Sequence, residues 1–157
     1  MTYPVPYYLT LPLTTPVPQY TCLTQDDPGV PNGTYLLDDW YCPAPDCDCE
    51  DVVFQVFAQP DHQCVAWIRW SLDPTHPAAP HLDQPHLAAP YAQALLQALT
   101  PLLLGDPAWQ AQLREHYHQV KAVAADPTHP AYHRVIACAQ TGEPSTAPPK
   151  KRQRKKH

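Results

Sequence analysis

The sequence predicts an α+β fold, in which a small antiparallel β-meander is covered by two helices and followed by a disordered basic C-terminal tail. Three observations lead to this prediction. The first half holds short runs rich in β-branched and aromatic residues, a composition that strands favour. The second half holds a long segment whose apolar residues recur with helical spacing. The chain then ends in a run of basic residues.

Three segments are predicted as the strands of the meander. They are Thr34–Tyr41 ("TYLLDDWY"), Asp51–Ala58 ("DVVFQVFA") and Cys64–Trp70 ("CVAWIRW"). The second and third are joined by a turn at Gln59–Gln63, and the first and second by a short loop that contains three cysteines. Short links in succession favour antiparallel neighbours over a crossover connection.

Two helices are predicted after residue 90. Pro90 suits a first helical position and is followed by strong helix formers in "YAQALLQAL". The second helix begins with Asp106 as N-cap and Pro107 in its first turn. Its apolar stripe comprises Trp109, Leu113, His116, Val120 and Val123. His118 lies roughly 200° around the helix from His116, so we expect it on the solvent side.

The charge distribution divides the chain in two. The run "KKRQRKK" holds six of the ten lysines and arginines, whereas residues 1–149 hold four basic residues against all 15 acidic ones. The body therefore carries a net charge of −11 and the tail +6. Such an asymmetry is typical of a folded part and a tail with separate roles.

The N-terminal region shows no basic segment followed by an apolar run, and no stretch of the chain reaches the ~20 apolar residues of a membrane span. We therefore expect a cytoplasmic protein, whose six cysteines stay reduced. Reduced cysteines at this density are more typical of metal ligands or buried apolar residues than of disulfides.

The cysteine loop is the strongest chemical signal. Cys42, Cys47 and Cys49 fall within eight residues between two predicted strands. Structural zinc sites take four tetrahedral ligands from Cys and His, so the loop is predicted to be a zinc loop with one ligand still to be assigned. The candidates for it are His116, His62, Cys64 and Cys22. His116 is favoured because a histidine on the apolar stripe of a helix faces the sheet that the helix covers.

A site with three cysteines and one histidine has no open position, whereas catalytic zinc keeps one for water. No nucleophile elbow, P-loop or H-E-x-x-H motif is present in the sequence. The sequence therefore favours a non-catalytic metal site. If water were the fourth ligand, a zinc hydrolase would be the alternative. A redox pair of Cys47 and Cys49 is disfavoured by the third cysteine nearby.

These residues resemble a group of small bacterial cysteine-rich proteins with a SEC-C-like metal-binding pattern. The resemblance runs through "GTYLLDDWYC", "CDC", "YAQALLQAL" and "DPAWQAQLREHYHQVK" and covers roughly residues 30–122. It implies that Cys42, Cys47, Cys49 and His116 form one metal-binding set. This chain lacks the Cys-Pro-Cys-Gly core of the SEC-C motif and its terminal Cys-Cys or Cys-His pair. The resemblance implies no activity.

Three regions are therefore predicted: an extended Pro/Tyr-rich N-terminal arm at 1–30, a zinc-binding α+β domain at 31–139, and a disordered basic tail at 140–157. The predicted function is that of a zinc-stabilised interaction module with a protein or nucleic-acid partner. Basic runs bind phosphates without reading sequence, so nucleic acid would be contacted through the tail. Its basic side chains are Lys150, Lys151, Arg152, Arg154, Lys155 and Lys156.

Overall fold

The computed structural model describes residues 2–76 and 78–144 and confirms the α+β class. Within these residues, six strands form one sheet and three α-helices accompany it. The strands are β1 (Val5–Pro6), β2 (Tyr20–Thr24), β3 (Gly33–Tyr41), β4 (Asp51–Ala58), β5 (Gln63–Ser71) and β6 (His81–Asp83). The helices are α1 (Ala92–Leu104), α2 (Pro107–Ala124) and α3 (Tyr132–Thr141), and two short 3-10 turns lie at Tyr7–Thr10 and Pro85–Leu87.

The sheet is an antiparallel meander, and two short strands share one of its edges. Strands β3, β4, β5 and β6 follow one another as neighbours. Both N-terminal strands pair with the free side of β3. Strand β1 pairs at its end, where Val5 lies opposite Tyr41, and β2 pairs nearer its start, where Cys22 lies opposite Tyr35. The predicted meander is thus present and is extended by three further short strands.

Alternate residues of the central strands face the helices. On β4, Val52, Phe54 and Val56 are fully buried and belong to the same core cluster as the buried side chains of α1, α2 and α3. Phe54 lies opposite Asp39 on β3, and side chains at paired positions share a face of the sheet. An acidic side chain is therefore placed on the core face of β3, beneath the helices.

Helix α2 has the amphipathic pattern that the sequence predicts. The Asp106 side chain accepts a hydrogen bond of 3.0 Å from the backbone N–H of Trp109, which caps the helix. His116 is buried and His118 is exposed, so the predicted helical phase is confirmed. None of the helices in the described part of the chain is long and apolar enough to cross a membrane.

The N-terminal segment is more closely integrated than the predicted extended arm at 1–30. Val5, Tyr7 and Leu9 are buried in the core, and Arg134 on α3 donates a hydrogen bond of 2.8 Å to the carbonyl oxygen of Leu11. Val5, Tyr7 and Leu9 alternate along the chain, but the alternation spans only five residues and prolines punctuate the surrounding segment, so the sequence alone does not mark them as core. The boundary predicted at residue 30 therefore lies inside the folded unit.

The segment "DPTHPA", which occurs twice, forms similar turns after β5 and after α2. In each copy the aspartate accepts hydrogen bonds from the backbone N–H and the hydroxyl of the threonine two residues on. In each copy the histidine Nδ1 also accepts a hydrogen bond from the backbone N–H two residues further on. The segment thus ends one strand and one helix.

Most of the predicted basic tail lies outside the described residues.

Candidate metal centre

The three cysteines lie in the loop that joins β3 to β4. The paired residues Tyr41 and Val52 hold the two strands together at its base. The carbonyl oxygen of Glu50 accepts a hydrogen bond of 2.8 Å from the backbone N–H of Leu72, which fixes the returning limb beside the end of β5. A turn hydrogen bond from Cys47 N–H to the carbonyl oxygen of Ala44 measures 3.2 Å. The loop therefore has fixed ends and an ordered turn.

The loop brings the three thiols together. The sulfur atoms of Cys42, Cys47 and Cys49 all lie within 4.8 Å of one another, and all three residues are half-buried. Those of Cys47 and Cys49 are 3.0 Å apart. Tetrahedral zinc with bonds of about 2.3 Å places its sulfur ligands roughly 3.8 Å apart, a value between these two distances. Small rotations of the side chains would therefore fit the three sulfurs to one ion.

Helix α2 holds the loop through Lys121. Its ammonium group donates hydrogen bonds to the carbonyl oxygens of Ala44 and Cys47, the second at 2.9 Å. The same ammonium nitrogen lies 5.5 Å from the centroid of the Tyr117 ring, one turn earlier on the helix. A single lysine thus joins two points of the cysteine loop to the helix and places a positive charge beside the thiols.

The thiols differ in acidity because they share a hydrogen bond. Hydrogen bonds with Cys49 are the largest cause that lowers the pKa of Cys47, and the charge of Lys121 adds to the effect. Burial, and then the hydrogen bond with Cys47, raises the pKa of Cys49 to about 12. Cys47 therefore loses its proton more readily than Cys49, which retains its own. Thiolate is the form that binds metals, so a bound cation would replace the retained proton.

The cysteine loop also affects the acidity of Tyr117. Burial, followed by the negative charges of Cys49, Glu50, Cys47 and Cys42, raises the pKa of its phenol to about 12. The phenol therefore stays neutral at physiological pH. Tyr117 thus gives the thiols a neutral neighbour on the helix side, and Lys121 gives them a cationic one.

The structure places His116 in a different environment. Within the described residues, the group of metal-binding side chains comprises only the three cysteines. The Nδ1 atom of His116 lies 2.6 Å from a carboxylate oxygen of Asp39, and its ring stacks on that of Tyr7 at 3.5 Å. His116 does face the sheet, as the sequence predicts, but it meets an acidic side chain of β3 there rather than the thiols.

The other candidates for the fourth ligand also stand outside the thiol group. His62 stacks on Phe57 at 4.1 Å, and its Nδ1 is hydrogen-bonded to the side-chain amide of Gln59 at 3.0 Å. Cys64 is exposed at the start of β5. Cys22 is buried on β2, where loss of solvent raises the pKa of its thiol. None of these residues belongs to the cysteine cluster found in the described part of the chain.

Three residues of the site and its surroundings were not predicted from the sequence. They are Asp39, which pairs with His116, and Tyr117 and Lys121, which border the cysteine loop. The sequence does indicate that Tyr117 and Lys121 lie side by side, because residues four apart share one face of a helix. Lys121 is also the only lysine before the basic tail. The pairing of Asp39 required the strand register, which the sequence pattern left open.

Comparison with protein-family models, with curated proteins and with solved structures finds no match to this chain. No family is identified for this chain, and the SEC-C-like resemblance stays an expectation from its sequence motifs.

Proposed function

We propose that Cys42, Cys47 and Cys49 bind one zinc ion that holds the β3–β4 loop against α2, and that the protein is a non-catalytic interaction module. The observation that carries this proposal is the convergence of three thiols within 4.8 Å in a loop anchored at both ends. The donor set fits zinc, because thiolates select soft or borderline ions over magnesium and calcium. The protein would function in a reducing cytoplasm, where the thiols remain available.

A structural role follows from charge. Three thiolates more than neutralise a divalent ion, so the ion would be a weak Lewis acid. The excess negative charge would be offset by Lys121, whose ammonium group already contacts two carbonyl oxygens of the loop. Structural zinc sites contribute directly to the stability of the surrounding fold. Zinc would thus order the loop as a surface for a partner.

The proposed partner is RNA, DNA or a ribonucleoprotein, contacted through the basic residues between Lys150 and Lys156. The tail carries +6 and the body −11, so phosphates are attracted by the tail and repelled by the rest of the chain. Binding of this kind arises from counterion release and reads no sequence. In this proposal the metal site orders the β3–β4 loop, and the tail supplies the affinity for nucleic acid.

One observation favours a second candidate, a zinc hydrolase with water as fourth ligand. Within the described residues the thiol group includes no fourth protein ligand, and a cleft of about 500 Å³ borders Cys47. Catalytic zinc sites keep one such position for water. The charge of the site disfavours this candidate, since three thiolates would leave little positive charge on the zinc ion to activate the water.

Native mass spectrometry of the full chain, purified under reducing conditions, tests the metal proposal. We expect one zinc ion per chain, and a sharp loss of zinc in Cys42→Ser. Cys64→Ser is the matched control, because Cys64 is exposed and stands outside the cluster. Metal-free wild-type protein that takes up no zinc on titration would overturn the proposal. Hydrolysis of model esters by the zinc-loaded protein would favour the second candidate.

A further inference from the structure

One face of α2 lies across a cleft from the cysteine loop. The cleft has a volume of about 500 Å³ and is bordered by Cys47 on the loop side. On the helix side it is bordered by Tyr117, His118 and Lys121. Since Lys121 donates hydrogen bonds to carbonyl oxygens of the loop, this turn of the helix is held close to the thiols.

Among the described residues, His118 is the only imidazole that lines this cleft. It is exposed, and within the described residues its ring nitrogens make no hydrogen bond that would hold them elsewhere. Its ring contacts the edge of Tyr117, with centroids 5.3 Å apart. His116, by contrast, is buried and held between Asp39 and Tyr7.

We infer that His118 supplies the fourth ligand to the metal held by Cys42, Cys47 and Cys49. This inference rests on the proposed metal site and names the residue that completes it. Three thiolates and one imidazole form a common structural zinc site. The carboxylates of Asp48 and Glu50 border the same cleft, but structural zinc sites are built from Cys and His.

The inference reverses the roles that helical phase alone suggests. The stripe position of His116 predicts a ligand facing the sheet, and His118 is then expected to face only solvent. The cysteine loop, however, extends beyond the end of β3 and meets the flank of α2 that carries Tyr117 and Lys121. His118 lies on that flank, is exposed, and borders the cleft beside the loop.

The test compares His118→Ala with His133→Ala. His133 is the matched control because it is also an exposed helical histidine next to a tyrosine, with ring centroids 5.3 Å apart in both pairs. Zinc affinity is measured in the full chain by competition with a chromophoric chelator. We expect His118→Ala to weaken zinc binding by more than about tenfold, since even the loss of an outer contact to a ligand costs on the order of 10–100-fold. His133→Ala should bind as the wild type does.

A direct readout separates ligation from a general structural effect. In protein with ¹⁵N-labelled histidine, one equivalent of zinc should shift the ring nitrogen signals of His118 and leave those of His116 in place. Wild-type protein that binds one zinc while His118→Ala retains full affinity would overturn the inference and leave the proposed site intact. Equal losses in both variants, or a shift of the His116 signal instead, would also overturn it. Failure of the wild type to bind zinc would remove the proposed site itself.

Discussion

The Nδ1 atom of His116 on α2 lies 2.6 Å from the Oδ2 atom of Asp39 on β3, in the interior of the protein. Asp39 is 3% exposed and His116 is 7% exposed. The same carboxylate oxygen accepts a hydrogen bond of 2.7 Å from the hydroxyl of Tyr41, and the ring of Tyr7 covers the imidazole. The pair thus joins the main helix, the central sheet and the N-terminal segment at one point.

The first prediction concerns this buried pair. His116→Ala should lower the free energy of unfolding by about 1–3 kcal/mol, the cost typical of leaving a buried hydrogen-bonding group, here Asp39, without its partner. Chemical denaturation of the metal-free protein measures this effect without a contribution from zinc. His118→Ala, at an exposed position on the same helix, should change it little. Equal destabilisation by the two changes would show that the Asp39 contact contributes nothing specific.

A second prediction concerns Lys121. Lys121→Met keeps an unbranched side chain of similar length. It removes both hydrogen bonds to the loop and the positive charge beside the thiols. We expect zinc affinity to fall on the order of tenfold, as it does when outer contacts that orient ligands are lost. Chelator competition provides the measurement.

Lys121→Arg is the conservative control for that change. It preserves the charge and should retain most of the affinity. Full affinity in Lys121→Met would indicate that the loop holds its shape without the helix. Faster hydrogen exchange of the backbone amides of residues 44 and 46–49 in the methionine variant would show that the loop has loosened.

Local patterns predicted most of the fold. The strands β3, β4 and β5 are long and rich in β-branched or aromatic residues, and α2 carries both a capping aspartate and an apolar stripe. The strands β1 and β2 were not predicted, because they are short and prolines punctuate the N-terminal segment. Their burial depends on pairing with β3, a long-range contact that local composition does not specify.

The cysteine cluster was predictable because its three cysteines are close together in the chain. The partner of His116 was not, since helical phase fixes which way the residue faces but not which strand residue it meets. Asp39 follows Asp38 in the sequence, and the alternation of a strand places one of the two on the core face. Only the register with β4, in which Asp39 lies opposite the fully buried Phe54, identifies which one.

A third prediction concerns removal of the metal. The core cluster includes none of the three loop cysteines, so the sheet and helices should persist when zinc is chelated. Far-ultraviolet circular dichroism of the chelated protein should match that of the zinc-loaded protein. The melting temperature should rise with zinc, because a ligand at 100 times its Kd stabilises the folded state by about 2.7 kcal/mol. Loss of secondary structure on chelation would show that the domain folds around the metal.

The last prediction concerns the basic tail. Removal of residues 150–157 should abolish binding to single-stranded RNA while leaving zinc content and melting temperature unchanged. The reason is charge, since the truncated body carries −11 and would repel phosphates.

Labelled RNA is titrated into the full-length and truncated proteins at two salt concentrations. Binding by the full chain should weaken steeply with salt, with a logarithmic slope of about −0.7 for each phosphate neutralised. A full-length variant with Lys150, Lys151, Arg152, Arg154, Lys155 and Lys156 changed to glutamine separates charge from chain length and should also fail to bind. Undiminished binding by the truncated protein would place a nucleic-acid site on the folded body. If the full chain does not bind RNA, the partner of the zinc-ordered loop would instead be a protein.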